Sequence, residues 1–457
     1  MHDIAIIGGG PGGYVCAIRA AQNGLSVALV EKAQLGGVCL NRGCIPTKAL
    51  AHTADVMEKA GRAAELGLVI PEVRLDFARV MARKDKVVAK LRGGVGLLLK
   101  RRKVDVFTGV GTLAGTRAVE ATAPDGSTTR IEARNIVIAT GSEPVAPRMF
   151  GYDGVNMLTS DDVLKLKELP ESVLIVGAGV IGCEFASIFR TFGCEVTVVD
   201  IMPNILPMVD EDVANAVRAA FAKRGIKIHT GTKITSVKVA DGRVEAACED
   251  GKTLFAQKGV LSVGRRPTTG GVGAADVGID TGDAGEIIVD SQMRTSVPGV
   301  WAIGDVTGKS QLAHVASAQG LAVAANVAGQ SRSMEYYAVP NCIFTSPEVA
   351  AVGVSERSAE ESGIDYRVGK FPFVASGKAV AMGAPEGFVK IITDGASRVI
   401  GGQVVGAHAS DLIAEIALAV SRRLKLEDIE QTIHAHPTLA ECTAEAAEAV
   451  VGRAIHI

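Results

Sequence analysis

The sequence predicts an α/β protein with two similar domains built on parallel sheets and a C-terminal α+β domain. The first observation is its length of 457 residues, which suggests about three domains at roughly 150 residues each. The second is a unit of strand, glycine-rich turn, helix, strand and acidic residue that occurs twice. The third is a region from Cys342 onward with alternating strands and two amphipathic helices, predicted at 411–421 and 438–451, and no glycine-rich turn. A region without a ligand signature is typical of an interface domain.

The first unit consists of an apolar strand, a glycine-rich turn, a predicted helix at 14–23 and a second strand that ends at Glu31. Gly8, Gly10 and Gly13 match the fingerprint of a Rossmann-like dinucleotide-binding domain. The first glycine allows a tight turn, the second admits a pyrophosphate, and the third lets the helix pack on the strand. Glu31 is predicted to accept hydrogen bonds from ribose hydroxyls.

The same unit returns after an apolar strand at 173–176. Gly177, Gly179 and Gly182 occupy the fingerprint positions, and Asp200 follows the first of them by 23 residues, the same offset as in the first unit. Two dinucleotide sites are therefore predicted. A carboxylate at this position favours a free ribose 2′-hydroxyl, and the next residues offer no arginine for a 2′-phosphate. The second site is therefore predicted to bind NAD rather than NADP.

The two units and the breaks between them divide the chain into four predicted segments. Their boundaries are 1–145, 146–268, 269–338 and 339–457. Between the units, a helical arm is predicted at about 75–102, with interruptions at Gly93, Gly94 and Gly96 because glycine disfavours helix interiors.

A candidate redox pair lies in the stretch from Gly36 to Lys48. Cys39 and Cys44 are separated by four residues, stand among glycines and precede a helix-compatible run at 47–57. Such a pair can close a small disulfide loop that opens and forms again. If the helix begins near Cys44, Lys48 lies on the same face and its ammonium group favours a thiolate. Five other cysteines are predicted to be small buried apolar residues: Cys16, Cys183, Cys194, Cys248 and Cys342.

A histidine near the C-terminus is a candidate general base. Pro437 is predicted to hold His436 in an extended backbone, Thr438 to cap the next helix, and Glu441 to reach back to an imidazole N–H. A carboxylate that orients an imidazole keeps the proton on one nitrogen, so that the other can accept one. His434 is interpreted as a structural neighbour.

A zinc site is the alternative use of these residues, with two sulfurs from Cys39 and Cys44 and two nitrogens from His434 and His436. The sequence argues against it. The histidines lie far from the cysteines in the chain.

Composition argues against nucleic-acid and membrane partners. The formal net charge is -2, charged residues make up 21% and hydrophobic residues 47%. The first residues enter an apolar strand without the features of an export signal, and the apolar stretch at 172–186 is interrupted by Glu184 before the ~20 residues of a membrane span. A cytoplasmic protein is predicted.

Taken together, the motifs resemble the pyridine nucleotide-disulfide oxidoreductase family over essentially the whole chain. The residues that carry the resemblance are Gly36–Asn41, Gly43–Pro46, Ala302–Asp305, Leu312–His314 and His434–Thr438. Each motif is short, but their combination in this order is specific to the family.

The resemblance implies FAD on the first unit, NAD on the second, and a homodimer. The first and third segments would then form the FAD-binding domain. The resemblance places Asp305 on the flavin ribitol, Lys48 and Glu184 beside the flavin where nicotinamide docks, and His436 and Glu441 at the disulfide of the partner subunit. Further cofactor contacts are implied at Thr140, Gly141, Gly264, Gly304 and Ala313.

The activity that the resemblance implies is NAD-dependent oxidation of dihydrolipoamide. The dithiol would be carried by a lipoyl-bearing acyltransferase or a glycine cleavage carrier protein. His436 of the partner subunit would deprotonate a substrate thiol, the thiolate would attack Cys39, and Cys44 would leave as a thiolate on the flavin side.

Three alternatives are weaker. A glutathione-type reductase would need a basic 2′-phosphate site in place of Asp200, and a mercuric reductase would need a terminal cysteine pair, whereas the chain ends at Gly452–Ile457 without cysteine. A non-enzymatic interaction protein would not need the intact set of catalytic candidates, which consists of Cys39, Cys44, His436 and Glu441.

Two residues depart from the family pattern. Arg42 stands between the cysteines where a small apolar residue is more common, and Gln319 stands where an acidic residue is frequent. Neither has a role in the predicted chemistry, and Arg42 has no explanation at the level of sequence.

Overall fold

The computed structural model describes residues 1–457 and confirms the predicted fold class: two Rossmann-like units and a C-terminal α+β domain. The strands are β1 His2–Ile7, β2 Val27–Glu31, β3 Asp105–Thr108, β4 Val110–Leu113, β5 Ala118–Thr122, β6 Thr128–Ile138, β7 Ser142–Pro144, β8 Met157–Thr159, β9 Ser172–Val176, β10 Glu195–Val199, β11 Lys227–His229, β12 Ile234–Ala240, β13 Arg243–Cys248, β14 Thr253–Ala256, β15 Lys258–Leu261, β16 Arg265–Pro267, β17 Val300–Ala302, β18 Asn341–Ile343, β19 Glu348–Gly353, β20 Tyr366–Pro372, β21 Gly387–Asp394 and β22 Val399–Gly406. The α-helices are α1 Pro11–Gln22, α2 Gly37–Arg42, α3 Cys44–Gly61, α4 Phe77–Arg101, α5 Ser160–Val163, α6 Val180–Thr191, α7 Glu211–Lys223, α8 Ala313–Val327, α9 Glu356–Glu361, α10 Gly377–Ala381, α11 Ala409–Arg422, α12 Leu426–Glu430 and α13 Glu441–Val450. Short 3₁₀ helices occur at Ala63–Leu66, Arg148–Phe150, Ala275–Val277, Gly304–Thr307 and Phe373–Ala375.

The first sheet has the order β3-β2-β1-β6-β5-β4, and β17 also pairs with β6. The pairs of β1 with β2 and β6, of β2 with β3 and of β6 with β17 are parallel, whereas β4 and β5 extend the sheet as antiparallel strands. From Ile4 to Ile7, strand β1 is a continuous apolar run, as expected for a central strand, and Ile4 and Ile6 are fully buried. This arrangement places the turn after β1 at the carboxyl edge of the sheet.

The second sheet repeats this order. Its strands run β11-β10-β9-β15-β8, all parallel, and a three-stranded antiparallel sheet, β12-β13-β14, follows in the same unit. Strand β9 takes the position of β1, and helix α6 takes that of α1. The internal repeat predicted from the sequence is confirmed. In such sheets ligands bind outside the carboxyl ends of the strands, where both glycine turns lie.

The C-terminal domain contains an antiparallel sheet with the order β18-β19-β22-β21-β20. Its core joins Val389 and Ile391 of β21 to Ile416 of α11 and Ala446 of α13, all completely buried. The two predicted amphipathic helices correspond to α11 and α13. A short ribbon, β7 with β16, connects the two dinucleotide-binding units.

The predicted interruption of the helical arm is wrong. Helix α4 runs from Phe77 to Arg101 without a break. Val95 and Leu99 on its inner face are buried in the first core, and this packing outweighs the low helix propensity of Gly93, Gly94 and Gly96.

Replacing Gly93 with alanine is expected to stabilise the protein by about 0.5–1 kcal/mol, because alanine loses less backbone entropy in a helix. A Cβ built at Gly93 meets no atom within 4 Å. The midpoint of thermal unfolding should rise. The matched control is Gly24→Ala, where the space is equally open but φ is +85°. That variant should lower the midpoint, and a rise of similar size in both variants would contradict the explanation.

One local prediction also changes. Helix α13 begins at Glu441 with Ala440 as its N-cap residue, so Thr438 does not cap it; the Thr438 hydroxyl instead donates to the Ala435 carbonyl. Cys39 lies on the short helix α2.

None of the helices combines the length and apolar character needed to cross a membrane. The predicted boundaries at 145/146, 268/269 and 338/339 stay predictions.

Candidate functional site

The first glycine of each turn has a backbone conformation that other residues rarely adopt. Gly8 has φ +109° and Gly177 has φ +106°. A Cβ at Gly8 would lie 2.2 Å from the Ala139 carbonyl oxygen, and one at Gly177 would lie 2.4 Å from the Ser262 carbonyl oxygen. Both turns therefore require glycine at this position.

The third glycine of each turn lets the helix approach the strand. A Cβ at Gly13 would lie 1.9 Å from the Gly8 carbonyl oxygen, and a Cβ at Gly182 would lie 1.9 Å from the Gly177 carbonyl oxygen. These identical distances show that α1 and α6 pack on their sheets in the same way.

The middle glycine of each turn faces open space. A Cβ at Gly179 would meet nothing within 4 Å, and one at Gly10 would meet only the Gly37 Cα at 3.8 Å. The N-termini of α1 and α6 begin directly after these residues. Unpaired N–H groups and open space at a helix N-terminus fit a pyrophosphate.

The acidic residue of each unit is held in place by backbone N–H groups. Glu31 accepts hydrogen bonds from the N–H groups of Gly9 and Ala33, at 2.7 and 2.8 Å. Asp200 accepts the equivalent pair of hydrogen bonds. The donors are the N–H of Ala178 in its own glycine turn and the N–H of Met202, two residues further along the chain. Each carboxylate is thereby fixed at the edge of its site and retains lone pairs for ribose hydroxyls.

One cavity of about 1340 Å³ connects the two turns. All of the predicted redox and cofactor residues line it except two pairs: Gly13 and Gly182, which pack beneath the turns, and His436 and Glu441, which lie elsewhere on the chain. Two dinucleotide turns that open into one cavity fit two dinucleotides whose reactive rings meet between them.

Both cysteines line this cavity. Cys44 is the first residue of α3, as the predicted relation to Lys48 requires, and both cysteines are thiols in this structure. A hydrogen bond from Cys39 lowers the pKa of Cys44 to about 7, with help from the Lys48 ammonium and against the effect of burial. The same hydrogen bond, together with burial, raises the pKa of Cys39. Cys44 is therefore the cysteine that carries the thiolate.

In the reduced protein, we expect the Cys44 thiolate to form as the pH rises through about 7. Below this value both cysteines are protonated, and above it the Cys39 hydrogen bond and the Lys48 charge stabilise the anion. The ultraviolet absorbance of the thiolate should show this step, and Cys44→Ser should remove it. Lys48→Met should move the step to higher pH, whereas Lys59→Met on the exposed part of α3 should not. A first step near the ordinary cysteine pKa of about 8.5 in the unmodified protein would contradict the assignment.

Lys48 joins α3 to α6 through an ion pair with Glu184. The Lys48 Nζ lies 2.9 Å from each carboxylate oxygen, and the Glu184 side chain is only 4% exposed. Glu184 also accepts a hydrogen bond from the N–H of Phe344, over whose ring the Lys48 ammonium lies at 4.5 Å. The buried Glu184 carboxylate thus holds the Lys48 ammonium close to Cys44, in the wall of the cavity.

Asp305 is held by a neighbour that sequence reasoning missed. The Ser142 hydroxyl donates to Asp305 Oδ2 at 2.5 Å and accepts from Arg265 Nε at 2.9 Å. Arg265 also donates to the Ser142 carbonyl. Ser142 and Arg265 directly follow Gly141 and Gly264 on the ribbon β7–β16. Their position next to these two glycines was the only signal in the sequence that could have pointed to Ser142 and Arg265. The two residues come into contact only when β7 pairs with β16.

Gln319, noted as a departure in the sequence, has a structural role. Its side chain is fully buried, its Oε1 accepts from the Gly304 N–H at 2.6 Å, and its Nε2 donates to the Tyr336 hydroxyl at 3.0 Å. A neutral amide can make both bonds, whereas a carboxylate could only accept. Gln319 therefore fixes the turn that carries Asp305.

His436 and Glu441 form the predicted pair. His436 Nδ1 lies 2.8 Å from Glu441 Oε1, and Glu441 Oε2 accepts from the Thr438 N–H at 2.8 Å. Burial opposes ionisation of Glu441, but these hydrogen bonds outweigh it and lower its pKa. The His436 side chain is 80% exposed, so its second nitrogen is accessible. His434, by contrast, is bonded to Glu415 and is almost completely buried.

The chain does not bring Cys39, Cys44, His434 and His436 together as a metal site. The cluster of three metal-ligating groups that it does form is Asp210, Asp212 and Glu356. The ammonium group of Lys390 lies among these carboxylates at 2.7–2.9 Å, which accounts for the cluster without a metal.

The comparison with known families decides the classification. A family model described as pyridine nucleotide-disulphide oxidoreductase matches residues 2–320, and the dimerisation domain of the same family matches residues 339–447. The chain belongs to the pyridine nucleotide-disulphide oxidoreductase family. This confirms the predicted family, the oxidoreductase class and the cofactors FAD and NAD, which fit the two turns. The match to the dimerisation domain supports the predicted homodimer.

Individual members of the family cover the whole chain. A dihydrolipoyl dehydrogenase of Chlamydia muridarum is 44% identical over 100% of this chain and 98% of that protein. One from Bacillus subtilis is 42% identical over 100% of this chain and 99% of that protein. Among solved structures, LpdA from Mycobacterium tuberculosis is similar with a TM-score of 0.93 and 31% identity, covering 97% of this chain and 98% of that chain.

Proposed function

We propose that this oxidoreductase oxidises protein-bound dihydrolipoamide to lipoamide and reduces NAD⁺ to NADH. The observation that carries the proposal is that the cysteine pair lines the same cavity as the two dinucleotide turns. Relatives of the same length named dihydrolipoyl dehydrogenase support the choice of substrate.

The dithiol reaction begins at His436 of the partner subunit. Its exposed nitrogen takes a proton from one substrate thiol, while Glu441 holds the other nitrogen and stabilises the imidazolium. The substrate thiolate attacks Cys39 of the disulfide, a mixed disulfide forms, and Cys44 leaves as a thiolate. The second substrate thiol then attacks the mixed disulfide, which releases lipoamide and leaves Cys39 as a thiol.

The lower pKa of Cys44 makes it the better leaving group in this step. Lys48 lies beside it and favours the anion, and Glu184 holds Lys48 in position. When bound, FAD would accept two electrons from the cysteine pair and pass them as hydride to NAD.

The cofactor contacts follow from the two turns. Gly8, Gly10 and Glu31 would hold the FAD pyrophosphate and ribose, with Asp305 on the ribitol, while Gly13 lets α1 pack beneath the turn. The equivalent set for NAD is Gly177, Gly179 and Asp200, with Gly182 beneath the turn. The walls between them would be completed by Thr140, Gly141, Gly264, Gly304 and Ala313.

The partner in this proposal is a lipoyl-bearing acyltransferase or a glycine cleavage carrier protein, which presents the dithiol on a flexible arm. A cytoplasmic location belongs to the same proposal and is supported by cysteines that are mostly buried and unpaired.

A steady-state assay tests the substrates directly. Turnover should require dihydrolipoamide and NAD, and replacement of NAD by NADP should reduce kcat/KM strongly because Asp200 repels a 2′-phosphate. In the reverse direction, lipoamide should be reduced and glutathione disulfide should not. Comparable activity with NADPH and glutathione disulfide would replace the proposal with a glutathione-type reductase.

A further inference from the structure

Three helices around the cysteine pair each send one cationic side chain across to the second dinucleotide-binding unit. They are Arg42 at the end of α2, Lys48 on α3 and Lys84 on α4. Their acceptors on the other side are Asp161, Glu184 and the carbonyl of Leu164. The second unit is therefore joined to the cysteine region by at least three polar contacts, and Lys48 already has a role beside Cys44.

Arg42 makes the contact that lies closest in sequence to both cysteines. Its Nε lies 3.3 Å from Oδ2 of Asp161, with side-chain exposures of 47% and 13%. Asp161 lies on α5, which directly follows β8 of the second sheet. Both Arg42 and Ser160, the first residue of α5, line the cavity. The pair thus spans the gap between the two units at the cavity wall.

Asp161 depends on this contact. Burial raises its pKa, and the charges of Arg42 and then Arg265 oppose that effect. Its other oxygen, Oδ1, is buried without a hydrogen-bond partner. A buried carboxylate that loses its cation is strongly destabilised where it is, so the local structure would rearrange if Arg42 were removed.

Arg265, the second cation whose charge acts on Asp161, contacts the residues around Asp305. Its guanidinium binds both the hydroxyl and the carbonyl of Ser142, and the Ser142 hydroxyl donates to Asp305. Arg265 lies on β16, in the ribbon between the two units. Asp161 is therefore within range of the charge of a residue that helps to hold Asp305.

We propose that Arg42 and Asp161 form a positioning pair, which fixes the second dinucleotide-binding unit against the cysteine loop and so aligns NAD for hydride transfer. The proposal rests on the assigned FAD and NAD sites but not on the identity of the dithiol substrate. The proposal also gives Arg42 a role that does not involve the disulfide. The Arg42 guanidinium is paired with Asp161, and Lys48 is the cation that lowers the pKa of Cys44.

The test is a double-mutant cycle on the FAD-loaded dimer with Arg42→Met, Asp161→Asn and the double variant. Reduction of the flavin by NADH is followed in a stopped-flow spectrometer, and the disulfide potential is measured by equilibration with NAD and NADH mixtures. Each single variant should slow NADH-driven reduction by about threefold to tenfold, and the double variant should be no slower than the singles. The disulfide potential should not change.

Two further variants separate positioning from a general loss of structure. The exchange Arg42→Asp with Asp161→Arg should recover most of the rate, because the pair is restored with reversed charges. The control Arg134→Met breaks the Arg134–Asp3 pair at 3.2 Å within the first unit and should leave the rate unchanged. Losses in the two single variants that add in the double variant would overturn the proposal. A single variant with an altered disulfide potential and an unaltered rate of flavin reduction by NADH would also overturn it. Neither result depends on dihydrolipoamide, so a wrong dithiol substrate would show only in the steady-state assay.

Discussion

Replacing Cys44 with serine is expected to reduce NAD-dependent oxidation of dihydrolipoamide by roughly 10⁴-fold or more. Serine cannot form the disulfide that accepts electrons from the substrate, and it cannot leave as a thiolate. FAD binding should persist, because Cys44 is one of many residues that line the cavity and the first glycine turn is untouched. Turnover is measured by NADH formation, and the FAD content is measured from the visible absorbance of the purified variant.

The matched control is Cys248→Ser. Cys248 is buried on β13, away from the cavity, and its replacement should leave turnover nearly unchanged. If Cys44→Ser retained full turnover with lipoamide, the disulfide would not be on the reaction path.

Replacing His436 with glutamine is expected to slow the dithiol half-reaction by about 10²- to 10⁴-fold, which is the usual contribution of a general base. Oxidation of NADH by an artificial electron acceptor should change little, because that reaction does not need the substrate thiol to be deprotonated. The half-reactions are compared by stopped-flow absorbance. The control is His456→Gln, which removes a similar exposed histidine–carboxylate pair, with Glu445 at 2.5 Å. Equal losses in both half-reactions of the His436 variant would contradict the role of this residue.

The same two substitutions test whether each site is shared between subunits. In a mixed dimer, one subunit carries Cys44→Ser and the other carries His436→Gln, and two different tags allow its purification. If His436 serves the partner's disulfide, one of the two sites in this dimer is complete. The mixed dimer should then have about half of the normal activity. If each chain used its own His436, both sites would be incomplete and the mixed dimer would be inactive.

The sequence was sufficient to predict features that depend on local backbone geometry. Gly8 and Gly177 are required by the positive φ of a tight turn, and Gly13 and Gly182 by close packing, so a short stretch of residues specifies each requirement. Cys44 and Lys48 are four residues apart on one helix, which made their interaction predictable as well.

Contacts between distant segments could not be predicted in the same way. The partner of Arg42 is Asp161, more than one hundred residues away on a different sheet, and no spacing rule connects them. The contact between Ser142 and Arg265 likewise depends on the pairing of β7 with β16. Helix α4 is a different case. The low helix propensity of its glycines predicted a break, but burial of the inner face of the helix outweighs that propensity and the helix is continuous.

The most direct test is an anaerobic titration of the oxidised, FAD-loaded dimer with dihydrolipoamide in the absence of NAD. Thiols that become accessible are trapped by alkylation and located by mass spectrometry. The proposed mechanism predicts that each subunit consumes one dithiol, that Cys39 and Cys44 become labelled together, and that adding NAD⁺ before the trap yields NADH and removes both labels. Labelling at another cysteine such as Cys342, or no dithiol consumption before NAD⁺ is added, would contradict it.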